Sequence, residues 1–205
     1  MLNSLSFLSL WGNQLSGKIP NSIGNCSNLR ILLLDHNKLT QSVPVELSKL
    51  SLLEELSLHF NGLDSGGTTT MLFLLALTNC SHLQELRLSN NIFSGVLPPS
   101  IGKLSTNLTF LSLASNIIEG SIPTSINNLS SLTYLNLSGN FLNGNIPSLG
   151  NLKKLERLNL GNNRLEGNIP DDFEQLQHLG LLDISKTDFL EIFPIPLHPW
   201  HPLNN

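Results

Sequence analysis

The chain has 205 residues, of which 40% are hydrophobic and only 13% are charged, so it holds enough apolar side chains for a sizeable interior. Its net charge of −4, its pI of about 5.8 and the lack of a lysine or arginine stripe argue against nucleic acid as a partner. No stretch of the sequence approaches the roughly 20 consecutive apolar residues that a membrane-spanning helix needs.

A frame of Leu-x-x-Leu-x-Leu-x-x-Asn-x-Leu occurs eight times along the chain. In the first copy, Leu5, Leu8 and Leu10 precede Asn13, and Leu15 follows it. The asparagine position of successive copies is occupied by Asn13, Asn37, Asn61, Asn91, Asn116, Asn140, Asn163 and, in the eighth copy, Thr187. These positions are 24, 24, 30, 25, 24, 23 and 24 residues apart. A fixed period of this length predicts a solenoid of stacked units.

The Leu-x-Leu core of each unit alternates apolar and outward-facing positions, which predicts a short strand with one buried face. Stacking the units would pair these strands into a parallel sheet above a continuous leucine interior. The asparagine follows the strand, where the chain turns inward. Because its amide carries both a donor and an acceptor, it can satisfy backbone groups that the turn leaves unpaired. We therefore interpret the frame asparagines as structural and not as ligand contacts.

A second cadence follows most of the asparagines. Gly17, Ile19 and Pro20 come four, six and seven residues after Asn13, and the same Gly-x-Ile-Pro order follows Asn116, Asn140 and Asn163. The glycine permits a backbone turn that residues with a side chain disfavour. The proline ends strand pairing and starts the return segment on the convex side. The third unit lacks this cadence and carries an irregular insertion at about 64–78. Its apolar run Met71–Leu77 predicts a convex helix packed on the interior.

The Asn-x-Leu-x-Gly-x-Ile-Pro cadence resembles the plant-specific class of leucine-rich repeat, which is found in plant receptor-like kinases, receptor-like proteins and polygalacturonase inhibitors. The resemblance covers about residues 2–194. The insertion and the segment Leu104–Leu108 are similar to ectodomains of receptor-like serine/threonine kinases in the subfamily that includes bacterial-pattern immune receptors. The resemblance implies an α/β solenoid of about eight repeats, with a curved parallel sheet on the concave face and short 3-10 or α segments on the convex face.

The sequence divides into a solenoid at 1–194 and a proline-rich tail at 195–205. No signal peptide precedes the first repeat, neither end shows a polar or disulfide-closed cap, and the eighth unit loses the frame at Thr187 and Phe189. We therefore expect this chain to be a piece of a longer receptor that is located on the extracellular face of the plasma membrane. The alternative is that it is a short secreted or decoy protein. The kinase domain implied by the resemblance has no motif in this chain, so we expect no enzymatic activity.

The cysteines do not report the compartment, whereas the glycosylation sequons hint at an extracellular one. Cys26 and Cys80 lie two units apart, about 10 Å at the strand spacing, which is too far for a disulfide, so we expect two small buried thiols. Sequons occur at Asn25, Asn79, Asn107, Asn128 and Asn136. The first four lie in exposed segments before strands. Asn136 would point out of the concave sheet, where a glycan and a ligand would exclude each other.

The frame also predicts which side chains face outward on the concave sheet, because successive strand residues alternate sides. The first four units concentrate aromatic, histidine and charged side chains there, whereas later units carry mostly small polar ones. Aromatic rings beside charged groups can bind apolar side chains of a ligand, while the charged groups fix its position through polar contacts. We therefore predict that a peptide or protein ligand, with a co-receptor as a further partner, contacts Trp11, Asp35, His36, His59, Phe60 and Arg87. The alternative is that these are ordinary solvated residues and that the ligand contacts lie elsewhere.

Metal and cofactor sites are not predicted. Asp35, His36 and His59 do not make a closed site of defined geometry, and His198 and His201 lie in the proline-rich tail. Two functions other than a receptor segment stay open: a secreted inhibitor of a cell-wall-degrading enzyme, similar to polygalacturonase inhibitors, and a non-signalling decoy.

Overall fold

The computed structural model describes residues 4–188 and shows a stack of eight units, which confirms the predicted α/β leucine-rich repeat solenoid. The concave face is a single parallel sheet whose strands follow the order of the chain. Its eight strands are Phe7–Ser9, Ile31–Leu33, Glu55–Ser57, Glu85–Arg87, Phe110–Ser112, Tyr134–Asn136, Arg157–Asn159 and Leu181–Asp183.

The strands stack in register, so equivalent residues of neighbouring units lie side by side. Leu8 pairs with Leu32, Leu32 with Leu56, and the pairing continues to Leu158 and Leu182. The central leucine of each strand points inward, and these leucines are almost fully buried except in the two terminal strands. The first and third residues of each strand consequently face the concave groove.

The frame asparagines bridge neighbouring units, as their hydrogen-bonding capacity suggested. Asn116 donates through Nδ2 to the carbonyl of Leu88 in the preceding unit, at 3.2 Å, and to the carbonyls of Leu113 and Ala114 in its own. Its Oδ1 accepts from the backbone N–H of Phe93 at 3.1 Å. Equivalent bonds recur at Asn37, Asn61, Asn91, Asn140 and Asn163. The amide thus supplies pairing that the turn would otherwise leave unmade.

Two further parallel sheets lie beyond the turn, and the sequence did not lead us to expect them. One contains Ser16–Gly17, Lys38–Ser42 and Gly62–Asp64, and the other contains Ser94–Val96, Ile117–Gly120, Phe141–Asn145 and Arg164–Glu166. The glycines of the Gly-x-Ile-Pro cadence adopt positive φ here, from 69° to 79°. The insertion separates the two sheets. Across this gap the Ser65 hydroxyl donates to the Ser94 carbonyl and accepts from its N–H, so a side chain replaces strand pairing.

The convex side is built from short helices, and the 3-10 helices among them begin directly after a proline. The 3-10 helices are Asn21–Asn25, Val45–Lys49, Pro99–Lys103, Thr124–Asn128 and Asp171–Gln175. The insertion forms the α-helix Leu72–Leu77, as predicted, and it buries Phe73, Leu74 and Leu77 while exposing Leu72 and Leu75. In the shortest unit, between Asn140 and Asn163, turns at 150–154 take the place of a helix.

The stack is less well covered at its first and last described units. Leu10 and Leu15 are more than one-third exposed, and together with Leu8, Ile19, Ile23 and other residues they line a cavity of about 540 Å³. Cys80 is buried, but Cys26 near this end is only half-buried, so the expectation of two buried thiols holds for one of them; both thiols are free. Burial raises the pKa of the Cys80 thiol to about 11.

Thr187 retains part of the asparagine's role, because its hydroxyl donates to the carbonyl of Ile184 at 2.8 Å. The tail at 195–205, with its two histidines, lies outside the described residues. Within residues 4–188, no helix is long and apolar enough to span a lipid bilayer.

Candidate ligand-binding face

The predicted contact residues take their positions from the strand and the turn that follows it. Arg87 is the third residue of its strand, so it faces the groove. Trp11, Asp35 and His59 stand two positions before their frame asparagines, and His36 and Phe60 stand one position before. In every described unit the residue in this last position has positive φ, including His36 at 52° and Phe60 at 51°. This left-handed backbone, which the sequence did not reveal, holds both rings against the groove.

Four of the predicted residues form one aromatic cluster across the first three strands. The Trp11 ring meets the His36 ring edge-on, with centroids 6.5 Å apart, and Trp11 is 60% exposed. His36 stacks on Phe60 at 4.5 Å, and the His59 ring lies edge-on to His36 at 5.0 Å. We call Trp11, His36, His59 and Phe60 the aromatic cluster. It offers flat apolar surface together with imidazole nitrogens.

Asp35 lies beneath this cluster and is only 8% exposed. Its Oδ2 is 3.1 Å from Nδ1 of His36 and 3.6 Å from Nε2 of His59. The structure therefore brings Asp35 together with the other predicted residues, but it covers most of the carboxylate. Asp35 is placed to orient the two imidazoles more than to touch a ligand through its own surface.

His59 is held from both sides. Its Nδ1 lies 2.8 Å from the Ser57 hydroxyl, and its Nε2 faces Asp35. Burial lowers the pKa of His59, and the nearby His36 and Arg87 act in the same direction, while Asp35 opposes them. The net direction favours a neutral ring, whose nitrogens can donate and accept.

Arg87 belongs to a second group of side chains, further along the sheet. Its guanidinium binds the carboxylate of Glu85, with Nε at 3.0 Å from Oε2, and lies 3.8 Å from the carboxylate of Glu55. The same guanidinium sits over the Phe110 ring at 4.1 Å, and Phe110 stacks on Tyr134 at 4.2 Å with nearly parallel planes. We call Glu55, Glu85, Arg87, Phe110 and Tyr134 the charged cluster.

Sequence reasoning named only Arg87 of this charged cluster. The other four residues occupy the first position of their strands, six residues before the frame asparagine, so the repeat frame carried the signal that they face the groove. Their contacts with Arg87 depend on pairing across strands, which the frame alone does not specify. Burial raises the pKa of Glu55, and the neighbouring Glu85 carboxylate raises it further. The two carboxylates of Glu55 and Glu85 share the one guanidinium of Arg87, so negative charge is in excess at this point.

The sequons differ in how accessible their amides are. Asn25, Asn79, Asn107 and Asn128 are exposed. Asn136, by contrast, is half-buried in the concave sheet: its Nδ2 donates to the Tyr134 hydroxyl at 3.1 Å, and its Oδ1 accepts from Ser138. These bonds occupy the amide nitrogen that a glycan would need, which favours an unmodified Asn136.

Comparisons with known proteins agree with this architecture. The family model for the leucine-rich repeat matches residues 4–26, 28–50, 82–104 and 107–129, and the model for two copies of leucine-rich repeats matches residues 130–178. Receptor-like protein 39 of Arabidopsis thaliana is 34% identical over 153 residues, which are 74% of this chain and 16% of that protein. The chain therefore spans a small part of the length of such relatives.

Solved structures of plant receptors share the fold. The peptide hormone receptor RGFR1, in complex with RGF2, has a TM-score of 0.83 and 38% identity over 92% of this chain and 29% of its own. The Arabidopsis receptor kinase HAESA, in complex with the peptide hormone IDA and the co-receptor SERK1, has a TM-score of 0.83 and 36% identity over 90% of this chain and 30% of its own. The chain belongs to the leucine-rich repeat proteins, and its relatives among them include plant receptor-like proteins and receptor kinases.

Proposed function

We propose that this chain is an extracellular recognition segment of a plant receptor-like kinase or receptor-like protein, and that it binds a peptide or protein ligand in signalling or defence without catalysing a reaction. RGFR1 and HAESA, which share its fold, are solved with RGF2 and with the peptide hormone IDA. HAESA is also solved with the co-receptor SERK1, so a co-receptor is a second expected partner here.

The observation that carries this proposal is the continuity of the aromatic and charged clusters along the groove. Together they run from Trp11 in the first unit to Tyr134 in the sixth. Five strand spacings of about 4.8 Å span about 24 Å, which an extended peptide of about seven residues covers at roughly 3.3 Å per residue. An extended segment lying across the strands would meet one unit after another, and each unit would present its own side chains.

The chemistry of the groove indicates what such a ligand carries. Glu55 and Glu85 place two carboxylates beside the guanidinium of Arg87, and the Asp35 carboxylate lies close enough to Glu55 to raise its pKa further. A ligand with a basic group facing Glu55 and Glu85 would relieve this excess of negative charge. The Trp11 and Phe60 rings are exposed and would pack against apolar or aromatic side chains of the same ligand.

A display experiment tests the proposal. The purified chain would be presented with a library of short random peptides, and enriched peptides would then be measured against wild type, Trp11→Ala, Phe60→Ala and Val45→Ala. Val45 is the matched control, since it is an exposed apolar residue on a convex 3-10 helix. We expect enrichment of basic and aromatic sequences, with affinity at least about tenfold weaker for the two concave variants and unchanged for Val45→Ala. Peptides that tolerate both concave changes but lose affinity for Val45→Ala would contradict the proposal, as would the absence of any enriched peptide.

A further inference from the structure

We infer that Asp35, His36 and His59 form a binding site for a divalent transition metal, with Zn²⁺ as the best match, on the concave face. Each residue offers one ligand atom, and these atoms all lie within 4.8 Å of one another. Two imidazoles and one carboxylate are ligands that zinc commonly takes. From the sequence, these three residues were not expected to make a closed site of defined geometry, because neighbouring positions in a repeat do not fix where the rings point.

The distances between the ligand atoms match the size of a zinc site. Zinc bonds of about 2.0–2.2 Å in a tetrahedron place neighbouring ligand atoms roughly 3.3–3.5 Å apart. Oδ2 of Asp35 lies 3.1 Å from Nδ1 of His36 and 3.6 Å from Nε2 of His59, so both distances lie close to that range. His36 is exposed and can adjust its ring to complete the third edge. The site is therefore nearly formed before a metal arrives.

The surroundings of His59 supply the support that metal-binding histidines usually have. The Ser57 hydroxyl lies 2.8 Å from Nδ1 and can accept its proton, which leaves the lone pair of Nε2 directed at the Asp35 carboxylate. In this tautomer, a cation placed between Nε2 and the carboxylate oxygen, which lie 3.6 Å apart, would bind both atoms. Metal-ligating histidines typically donate their second ring N–H to a carboxylate, a backbone carbonyl or water, which fixes the tautomer, and the Ser57 hydroxyl oxygen can take that role here.

The carboxylate of Asp35 also needs compensation. It is almost fully buried, and burying a carboxylate without a partner of opposite charge is costly. The two imidazoles compensate it as cations only when they are protonated, whereas a bound metal ion compensates it with both rings neutral.

Three protein ligands leave one tetrahedral position open, on the side of the groove where His36 and Phe60 are exposed. Structural zinc sites are usually closed by four protein ligands, whereas sites with three keep a position for an exogenous donor. If the proposed recognition function holds, a carboxylate, imidazole or thiolate of the ligand would complete the coordination, and the metal would join receptor and ligand.

Zinc titration of the purified 205-residue chain, without any peptide, tests the site separately from the proposed function. We expect one Zn²⁺ to bind with an affinity that falls at least about tenfold in His59→Gln and in His36→Ala, and about tenfold in Ser57→Ala. His36 is exposed, so its variant keeps the test valid if changes at buried positions impair folding. Co²⁺ bound in place of zinc should give visible absorption typical of four-coordinate cobalt, and added imidazole should change it by entering the open position.

Two controls separate this site from other histidines. His178→Gln removes an exposed histidine of the last units, and the double change His198→Gln with His201→Gln removes those of the tail; both should leave the affinity and stoichiometry unchanged. Zinc binding that survives in His59→Gln and His36→Ala, or that disappears with the tail histidines, would overturn the inference. So would the absence of zinc binding by the wild type, while a cobalt spectrum unaffected by imidazole would overturn the open position.

Discussion

At the scale of the residue, side-chain amides take over hydrogen bonds that the backbone cannot make for itself. The inward turn separates the concave strand from the next extended segment, and the frame asparagine spans the gap by bonding to its own unit and to the preceding one. The same bond set recurs from Asn37 to Asn163, so these amides join neighbouring units along the stack; they are half-buried at Asn37 and Asn61 and buried from Asn91 onwards. Their contribution should depend on how deeply each one is buried.

Asn116→Ala should therefore destabilise the fold far more than Asn13→Ala. Asn116 is buried and makes four bonds, and its loss would leave the Phe93 N–H and the Leu88 carbonyl without that partner, at a cost of about 2–4 kcal/mol. Asn13 is exposed and donates only within its own unit, so about 1 kcal/mol or less is expected. Urea unfolding measures both values. Equal losses in the free energy of unfolding for the two variants would show that the burial of the amide does not determine its contribution to stability.

Gln41→Gly should stabilise the protein. Gln41 occupies the position that glycine fills in five other units, and it adopts a φ of 68°. A side chain in this left-handed region costs about 0.5–1 kcal/mol relative to glycine, so the free energy of unfolding should rise by about that amount. Glu119→Gly is the matched control, because Glu119 is an exposed strand residue outside the positive-φ set and should lose stability. A loss of stability in Gln41→Gly would refute the argument.

Acidification should destabilise the chain through His59. Because burial lowers the pKa of His59 in the fold below 6.5, the unfolded chain binds the proton first, so this stability is present above about pH 6.5 and is lost as pH falls through the folded pKa. Urea midpoints measured in EDTA from about pH 7.5 to pH 5 should fall more for the wild type than for His59→Gln. His178→Gln, which lies far along the stack, should follow the wild type. Parallel curves for His59→Gln and the wild type would contradict the expectation.

At the scale of the element, the insertion shows how an irregular segment joins a regular stack. Its helix Leu72–Leu77 presents alternate faces to the interior and to solvent, so Leu74 is fully buried and its neighbour Leu75 is 53% exposed. Thr70 forms a bridge with Val96, and Val96 N–H donates to the Thr69 carbonyl, which ties the insertion to the four-stranded sheet. The longer unit therefore continues the core without breaking the concave sheet.

Two adjacent leucines of this helix offer a direct test. Leu74→Ala should reduce the free energy of unfolding by about 2–4 kcal/mol, since it removes a fully buried side chain and leaves a cavity. Leu75→Ala should change it by less than about 0.5 kcal/mol, because the side chain is largely in solvent and alanine favours the helix. Similar effects at the two positions would mean that the helix is not anchored as described.

The elements also show what the repeat frame does and does not specify. Alternation predicted the concave strands and the outward position of Arg87, and the apolar run predicted the convex helix. The sheets beyond the turn were missed, because these segments mix inward Leu or Ile residues with polar residues, glycines and exposed apolar residues such as Ile117 and Phe141, so no clear alternation is visible. The contacts of Arg87 were not predicted. Glu85 lies two residues before it in the same strand, while Glu55 and Phe110 lie in the two neighbouring strands. Contacts of this kind follow from register, which becomes visible only once the units are stacked.

At the scale of the whole molecule, the two ends of the described stack differ from its middle. The first unit leaves Leu10 and Leu15 partly open beside the cavity, and the last leaves Leu181 exposed and Leu182 and Ile184 half-buried. Exposed apolar surface of this kind favours association. The middle units, in contrast, are covered on both sides by their neighbours.

The isolated 205-residue chain should therefore associate through its ends. Sedimentation velocity should show dimers or larger species that increase with concentration, and the double change Leu10→Lys with Leu15→Lys should reduce them. Leu75→Lys is the control, because it alters an exposed apolar residue on the convex side and should leave association unchanged. A monodisperse wild-type monomer at high concentration would contradict this expectation.

The in-register pairing of the concave strands separates what the molecule recognises from what keeps it folded. Leu86 and Leu111 pair side by side inside the stack, while Glu85 and Phe110, one residue earlier, pair side by side in the groove. A substitution at an outward position therefore changes one side chain in the row that lines the groove, while the packed leucines keep the spacing between the strands. The side chains that contact a ligand can therefore vary from unit to unit while the leucine interior stays the same.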